Sequence, residues 1–207
     1  MYRWQIMSAV AEHGVVGIVR ADTAERATDR ARRCLEAGLS VLEVSLTTPE
    51  ATEVVRTLRR EHPDALVGAG TVLDSGSAHA AVSAGARFLV APSLDEEVLR
   101  TGHRYGAAVI PGADTPTEIV RALSAGADAV KLFPARAWSP RLVRDVLEPL
   151  PQAPVIPTGG ITVDDAPEWV AAGAVAVGMG SALSSGTVEE ISERVTTLRE
   201  RIRAARD

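Results

Sequence analysis

The chain is expected to fold as an α/β protein, specifically a (β/α)8 (TIM) barrel with an N-terminal capping helix. Three observations predict this. Short apolar runs alternate with amphipathic stretches, the signature of repeated βα units. The pair Ala-Gly closes a helix and opens a strand at Ala37-Gly38, Ala84-Gly85, Ala125-Gly126 and Ala172-Gly173, at near-regular intervals. Glycine just past a helix end takes the left-handed conformation at little steric cost, so four such pairs in register mark a repeating parallel architecture. Polar residues also recur at the C-terminal ends of the apolar runs, where a barrel gathers its active site. A doubly wound open sheet is the alternative that the same alternation allows.

Taken in order, an amphipathic stretch over Tyr2–Glu12 predicts a helix covering the bottom of the barrel. Eight strands are predicted at Val15–Arg20, Ser40–Ser45, Ala65–Gly70, Arg87–Ala91, Ala107–Pro111, Ala127–Leu132, Pro154–Thr158 and Val175–Gly178. Helices are predicted between them, among them Thr23–Ala37, Pro49–Glu61, Ser75–Ala84, Leu94–His103 and Pro116–Ser124. Ser139 followed by Pro140 reads as an N-cap and first helical position, the start of a further helix. No linker or charge run divides the 207 residues, so 1–207 is read as a single domain.

Composition narrows the function. The formal charge is a mild −5, there is no basic stripe, and aromatic residues make up only 3%, which argues against a nucleic-acid platform. The single cysteine, Cys34, sits mid-helix on what reads as a packing face and has no partner for an intramolecular disulfide, as expected in a reducing compartment. The first residues lack the apolar core of a signal peptide and no stretch approaches a membrane span, so a cytoplasmic protein with no membrane partner is expected. His13, His62, His79 and His103 fall near helix ends, on a helix or before the first strand, and read as surface residues. No cluster has metal-ligand spacing, so neither a metal nor another cofactor is expected.

The chemistry points to two charged residues inside apolar strands. Lys131 lies in Ala129-Val130-Lys131-Leu132-Phe133-Pro134, and Glu43 in Val41-Leu42-Glu43-Val44-Ser45. Strand alternation puts Glu43 on one face with Val41 and Ser45, and Lys131 on one face with Ala129 and Phe133; both faces are assigned to the barrel interior. A lysine in an apolar setting is a nucleophile for carbonyl substrates, and a carboxylate at a neighbouring strand end is a base. A buried structural ion pair is the competing reading. Arg20, ending the first strand, is either a rim charge paired with Asp22 or Glu43, or a guanidinium clamp for a carboxylate or phosphate; the company of Lys131 and Glu43 favours the clamp. Thr71, after Gly68-Ala69-Gly70, reads as a polar residue at the barrel mouth. That Gly-rich run lacks the third glycine of a dinucleotide fingerprint, so no nicotinamide cofactor is expected. Pro157-Thr158-Gly159-Gly160-Ile161 and Gly178-Met179-Gly180-Ser181-Ala182-Leu183 follow the last two strands. Such turns cradle phosphate through backbone N–H groups, with Ser181 at the N-cap of a short extra helix; turns that need glycine for conformation alone are the other reading. Trp138 serves either as loop packing or as a lid.

These motifs in this order resemble, over essentially the whole chain, the class I aldolases that cleave 2-keto-3-deoxy-6-phosphogluconate (KDPG), together with the overlapping 4-hydroxy-2-oxoglutarate aldolases. The resemblance is carried by Leu42-Glu43-Val44, Gly68-Ala69-Gly70-Thr71-Val72-Leu73, Pro111-Gly112 with Thr115-Pro116-Thr117-Glu118, Lys131-Leu132-Phe133-Pro134-Ala135, and the two glycine turns. It implies that Lys131 forms a Schiff base and Glu43 acts as general base and acid through a bound water. It further implies that Thr71, Pro92, Phe133 and Thr158 line the pyruvate end, that Gly159, Gly160, Gly180 and Ser181 hold phosphate, and that the protein is a homotrimer. The implied partners are pyruvate and a 2-keto-3-deoxy sugar acid phosphate. Some members carry an arginine where this chain has Thr47, and others carry one at the position of Arg20; the swap bears on sugar stereochemistry. The loop Ala135-Arg136-Ala137-Trp138-Ser139-Pro140 also lacks the glycines often seen there. Within the class, the phosphogalactonate epimer and non-phosphorylated 4-hydroxy-2-oxo acids are alternative substrates. Outside it stand a phosphate-binding isomerase or epimerase that uses Lys131 as a plain cation, and a non-catalytic phospho-ligand sensor.

Overall fold

The computed structural model describes residues 1–206. Its strands are β1 (Val15–Val19), β2 (Val41–Ser45), β3 (Leu66–Gly70), β4 (Phe88–Val90), β5 (Ala108–Ile110), β6 (Gly112–Ala113), β7 (Val130–Leu132), β8 (Val155–Pro157) and β9 (Val177–Met179). All pairings are parallel. Six strands form one sheet in the order β5-β4-β3-β2-β1-β9 and three form a second, β6-β7-β8. The eight predicted strands are all found, mostly trimmed at their ends. The exception in count comes from Pro111, which has no N–H to give a ladder: β5 is the predicted fifth strand, and pairing resumes just past its predicted end as β6. The carbonyl of Pro111 still accepts from the Lys131 amide at 2.9 Å, so the proline itself borders the lysine strand alongside β6. Between β8 and β9 the backbone is joined by a Thr158–Gly178 bridge and by the Val175 amide on the Val155 carbonyl at 3.0 Å.

The helices are α1 (Arg3–His13), α2 (Ala24–Glu36), α3 (Ala51–Glu61), α4 (Ser75–Ser83), α5 (Glu96–Arg104), α6 (Pro116–Ser124), α7 (Pro140–Leu147), α8 (Ala166–Ala171), the short α9 (Ser181–Ser184) and α10 (Val188–Ala204). Side-chain caps set many of their starts. Thr23, Asp74, Asp95, Thr115, Ser139 and Thr187 each accept from a backbone N–H in the first turn, worth about 1 kcal/mol apiece. The Ser139–Pro140 start is found as predicted. Ser181 is corrected: Gly180 is the N-cap of α9 and Ser181 its first helical residue.

Two apolar layers result. The larger lies between helices and strands and includes Ala31, Cys34, Leu58, Leu89, Ile119 and Leu198; Cys34 is packing, as expected. The smaller joins Val16, Val41, Leu66, Phe88, Ile110, Ala129, Ile156 and Ala176, one inner face shared by both sheets. Ile6 and Val10 of α1 are fully buried in this inner cluster, closing it from the N-terminal ends of the strands. Each such side chain contributes about 1.5–3 kcal/mol by leaving water. Arg3 ties α1 to Asp128 at 2.9 Å, and Asp128 also accepts from the Val109 amide and meets His103 Nε2. With Val41 and Ala129 in the inner cluster, the assignment of Glu43 and Lys131 to the interior holds.

Two histidines differ from the surface reading. His103 is half-buried against Asp128, and His13 is buried, with Nδ1 3.1 Å from Ser40 Oγ. His13 sits on the last turn of α1, where the chain folds back onto the strands, and its Nε2 has no partner. Burial, and secondarily Arg199, lower its pKa from 6.5 to about 4. Between those values the unfolded chain binds more protons than the folded one, so stability is complete above 6.5 and is lost as pH falls toward 4. At about 1.4 kcal/mol per unit, the loss is on the order of 3 kcal/mol. Denaturant unfolding at pH 7 and 4.5 is expected to show this loss in the wild type and a smaller one in His13→Asn, which retains a partner for Ser40; equal losses would contradict it.

Candidate active site

At the C-terminal ends of the strands lies a cavity of 730 Å³. Every residue singled out as a site residue lines it: Lys131, Glu43, Arg20, Thr71, Pro92, Phe133, Thr158, Gly159, Gly160, Gly180 and Ser181. Arg20 lies just beyond β1 and Thr158 just beyond β8, so strand ends present both to the cavity.

Glu43 is 3% exposed and Lys131 7%. Among the described residues neither side chain forms a hydrogen bond or an ion pair, so the buried structural pair is not what the geometry shows. Burial pushes the Glu43 carboxyl above its usual range, while nearby Lys131 and Arg20 partly offset the rise. The Phe133 ring sits beside the lysine, with Nζ 4.8 Å from its centroid, a cation–π distance. Arg20 has no ion-pair partner among the described residues, and Asp22 is taken by Arg26 instead.

Glycines on the inner face make room for the functional side chains. A Cβ at Gly70 would overlap the Glu43 carboxylate, one at Gly178 would overlap Thr158, and one at Gly68 would meet the Phe88 ring. Gly159 and Gly160 both have positive φ, 103° and 92°, which turns the backbone around the cavity rim. Thr71 is the unusual case. It is β-branched yet has φ 61°, and its Oγ1 meets the fully buried Ser45 Oγ at 3.0 Å. Ser45 also contacts Thr47 Oγ1 at 2.9 Å, so a chain of hydroxyls holds Thr71 in a conformation that costs on the order of 1–3 kcal/mol. Trp138 is loop packing: it is buried and its indole N–H donates to Asp114 at 2.7 Å.

Two further charged cavity residues escaped the reading from sequence, Arg30 of α2 and Arg136 of the 3-10 turn Ala135–Ala137. Arg136 follows the lysine strand by a few residues, so the rule that strand C-termini build sites could have found it. Arg30 is in the second turn of a helix, and no strand-end rule reaches it.

The cavity at the strand C-termini brings together a lysine, a raised carboxyl and two glycine turns, the groups that imine chemistry on a small carbonyl compound requires. The model of the family described as KDPG and KHG aldolase matches residues 6–198, and the chain belongs to that family. The chain is 33% identical over 171 residues to a 2-dehydro-3-deoxy-6-phosphogalactonate aldolase of Escherichia coli K12, covering 82% of this chain and 83% of the relative. It is 35% identical over 167 residues to a 2-dehydro-3-deoxy-phosphogluconate aldolase of Treponema pallidum, covering 80% of each. Among solved structures it is similar to the KDPG aldolase of Legionella pneumophila with pyruvate captured as a covalent carbinolamine. That likeness has TM-score 0.80 and 31% identity, and covers 97% of this chain and 98% of the other.

Gly70→Ala is expected to drive the Glu43 carboxylate off its position and to destabilise the fold by about 1–3 kcal/mol, as overpacking does. A crystal structure and a denaturant titration of the variant check this; an unmoved carboxylate at wild-type stability would contradict it.

Proposed function

We propose that this chain is a class I aldolase that reversibly cleaves 2-keto-3-deoxy-6-phosphogluconate to pyruvate and glyceraldehyde 3-phosphate. The reading is carried by one observation: Lys131 and Glu43 share a single cavity, unpaired, with two glycine turns at its rim. The similarity to phosphogluconate aldolases adds to it. We read the scaffold as one closed (β/α)8 barrel spanning 1–207. The inner cluster common to both sheets, the backbone bonds between β8 and β9, and the pairing that resumes past Pro111 supply the support for closure. The family resemblance further supports a homotrimer working in the cytoplasm on small molecules.

In the forward direction Lys131 Nζ attacks the C2 ketone to give a carbinolamine, which loses water to form an iminium ion. Glu43 takes the proton of the C4 hydroxyl, directly or through a water. The C3–C4 bond then breaks, its electron pair passing into the iminium to give an enamine while the aldehyde leaves. Protonation at C3 and hydrolysis of the imine release pyruvate and restore the amine. Thr71, Pro92, Phe133 and Thr158 enclose the three-carbon end. Arg20 holds the substrate carboxylate. The backbone of Gly159, Gly160 and Gly180, with the Ser181 hydroxyl, holds the phosphate. Burial raises the Glu43 pKa above that of an exposed carboxyl, which makes the carboxylate a stronger base.

Lys131→Met is expected to lower kcat by more than about a thousandfold, what covalent catalysis supplies, with the circular dichroism spectrum unchanged. Residual turnover above that level would turn the lysine into a binding cation and favour an isomerase. Glu43 must be ionised to act, so kcat is expected to fall as pH drops through the raised pKa, above the pH at which an ordinary carboxylate titrates. A flat acid limb, or one at the ordinary glutamate value, would remove Glu43 as the base.

A further inference from the structure

Arg20 and the glycine turns account for the substrate's two ends, yet Arg30 and Arg136 occupy the same cavity. Arg136 lies across the Gly159-Gly160 turn: a Cβ at Gly160 would come within 2.5 Å of its Nε and 2.6 Å of its Cγ. Arg30 reaches from α2 to donate to the Arg20 carbonyl at 2.8 Å, which places its guanidinium at the end of β1. β1 pairs with β9, and β9 runs directly into Gly180 and Ser181. The two glycine turns are therefore flanked by Arg136 on the β8 side and Arg30 on the β1 side.

What sets these arginines apart is that they share one cavity; arginines elsewhere either pair with carboxylates or, like Arg60, Arg104 and Arg144, stand unpaired among the described residues without lining it. Arg26, Arg32, Arg56, Arg100 and Arg201 all pair with carboxylates. Arg20, Arg30 and Arg136 form no ion pair among the described residues, although the chain as a whole carries a charge of −5. The one carboxylate among the described lining residues is Glu43, deep at the base. Three unneutralised guanidiniums around one cavity on an acidic protein call for a ligand of high negative charge. A guanidinium fork takes either a carboxylate or a phosphate, but a phosphate dianion carries more charge and more acceptor oxygens, so arginines on both sides of the turns can share it.

We propose that Arg30 and Arg136 are specificity-determining residues that grip the terminal phosphate from either side and restrict the chain to phosphorylated 2-keto-3-deoxy acids over non-phosphorylated 4-hydroxy-2-oxo acids. This rests on the aldolase reading for its substrate, but the anion grip itself stands on the arginines alone.

The test compares wild type with Arg30→Gln, Arg136→Gln, the double variant and the two lysine counterparts. Pyruvate release is measured from 2-keto-3-deoxy-6-phosphogluconate and from 4-hydroxy-2-oxoglutarate, and inorganic phosphate binding is measured by calorimetry. Each neutral substitution is expected to raise KM for the phosphorylated acid by roughly tenfold, the scale of one charge-assisted hydrogen-bonded contact. The double variant is expected to lose roughly a hundredfold in kcat/KM on that acid, and at least about tenfold less on the other. Lysine is expected to restore part of the loss, and added salt to weaken the wild type more than the double variant. Equal losses on both substrates, or a change under about threefold on the phosphorylated one, would overturn the proposal. If the wild type releases no pyruvate from either acid, the aldolase reading fails by itself. Calorimetry then decides the grip: equal phosphate affinity in wild type and double variant overturns it, and a weaker double variant upholds it.

Discussion

Two ionisable side chains stand without an ion-pair partner among the described residues on a buried, mainly apolar inner face, and much of the molecule is arranged around that fact. Burying a charge costs several kcal/mol even after relaxation, and a pair held together only by distant attraction recovers little of it. Glu43 and Lys131 lie in the middle of β2 and β7, in the same inner layer as Val41 and Ala129. The strands can hold them there because the neighbouring residues yield space: Gly70 faces the Glu43 carboxylate and Gly178 faces Thr158. The consequence for Glu43 is a carboxyl pushed upward by burial, a liability for stability and an asset for proton transfer.

Stability and chemistry occupy opposite ends of the strands. At the N-terminal ends, Ile6 and Val10 seal the inner cluster and Arg3 fastens α1 to Asp128. His13 belongs to this end, and its titration affects folding without touching the cavity. At the C-terminal ends, the rim is built from positive-φ glycines, a strained threonine and arginines with no ion pair among the described residues. The strain at Thr71 is held by the Ser45 hydroxyl beneath it, so a residue deep in β2 orders a residue at the cavity wall.

Much of this was legible in the sequence. A charge inside an apolar strand has few explanations, so Lys131 and Glu43 announce themselves, and strand alternation gives each a face. Glycine turns after the last two apolar runs give the rim. What the sequence withholds are the features decided by tertiary packing. Pro111 reads as a strand end, but its carbonyl still accepts from the next strand, so pairing resumes beyond it as β6. His13 reads as a polar helix end, but the return of the chain buries it against Ser40. Whether Trp138 packs or covers depends on Asp114, which lies on a different βα unit. Arg30 enters the cavity from a helix, a direction that no strand-end pattern encodes.

The central claim is that Lys131 is a nucleophile toward a keto acid. Incubation of the protein with pyruvate and borohydride, followed by intact mass and peptide mapping, tests it most directly. The account predicts one reduced pyruvate adduct per chain, located on Lys131. A folded protein that gains no adduct, or gains it on the N-terminal amine and not on Lys131, would contradict it.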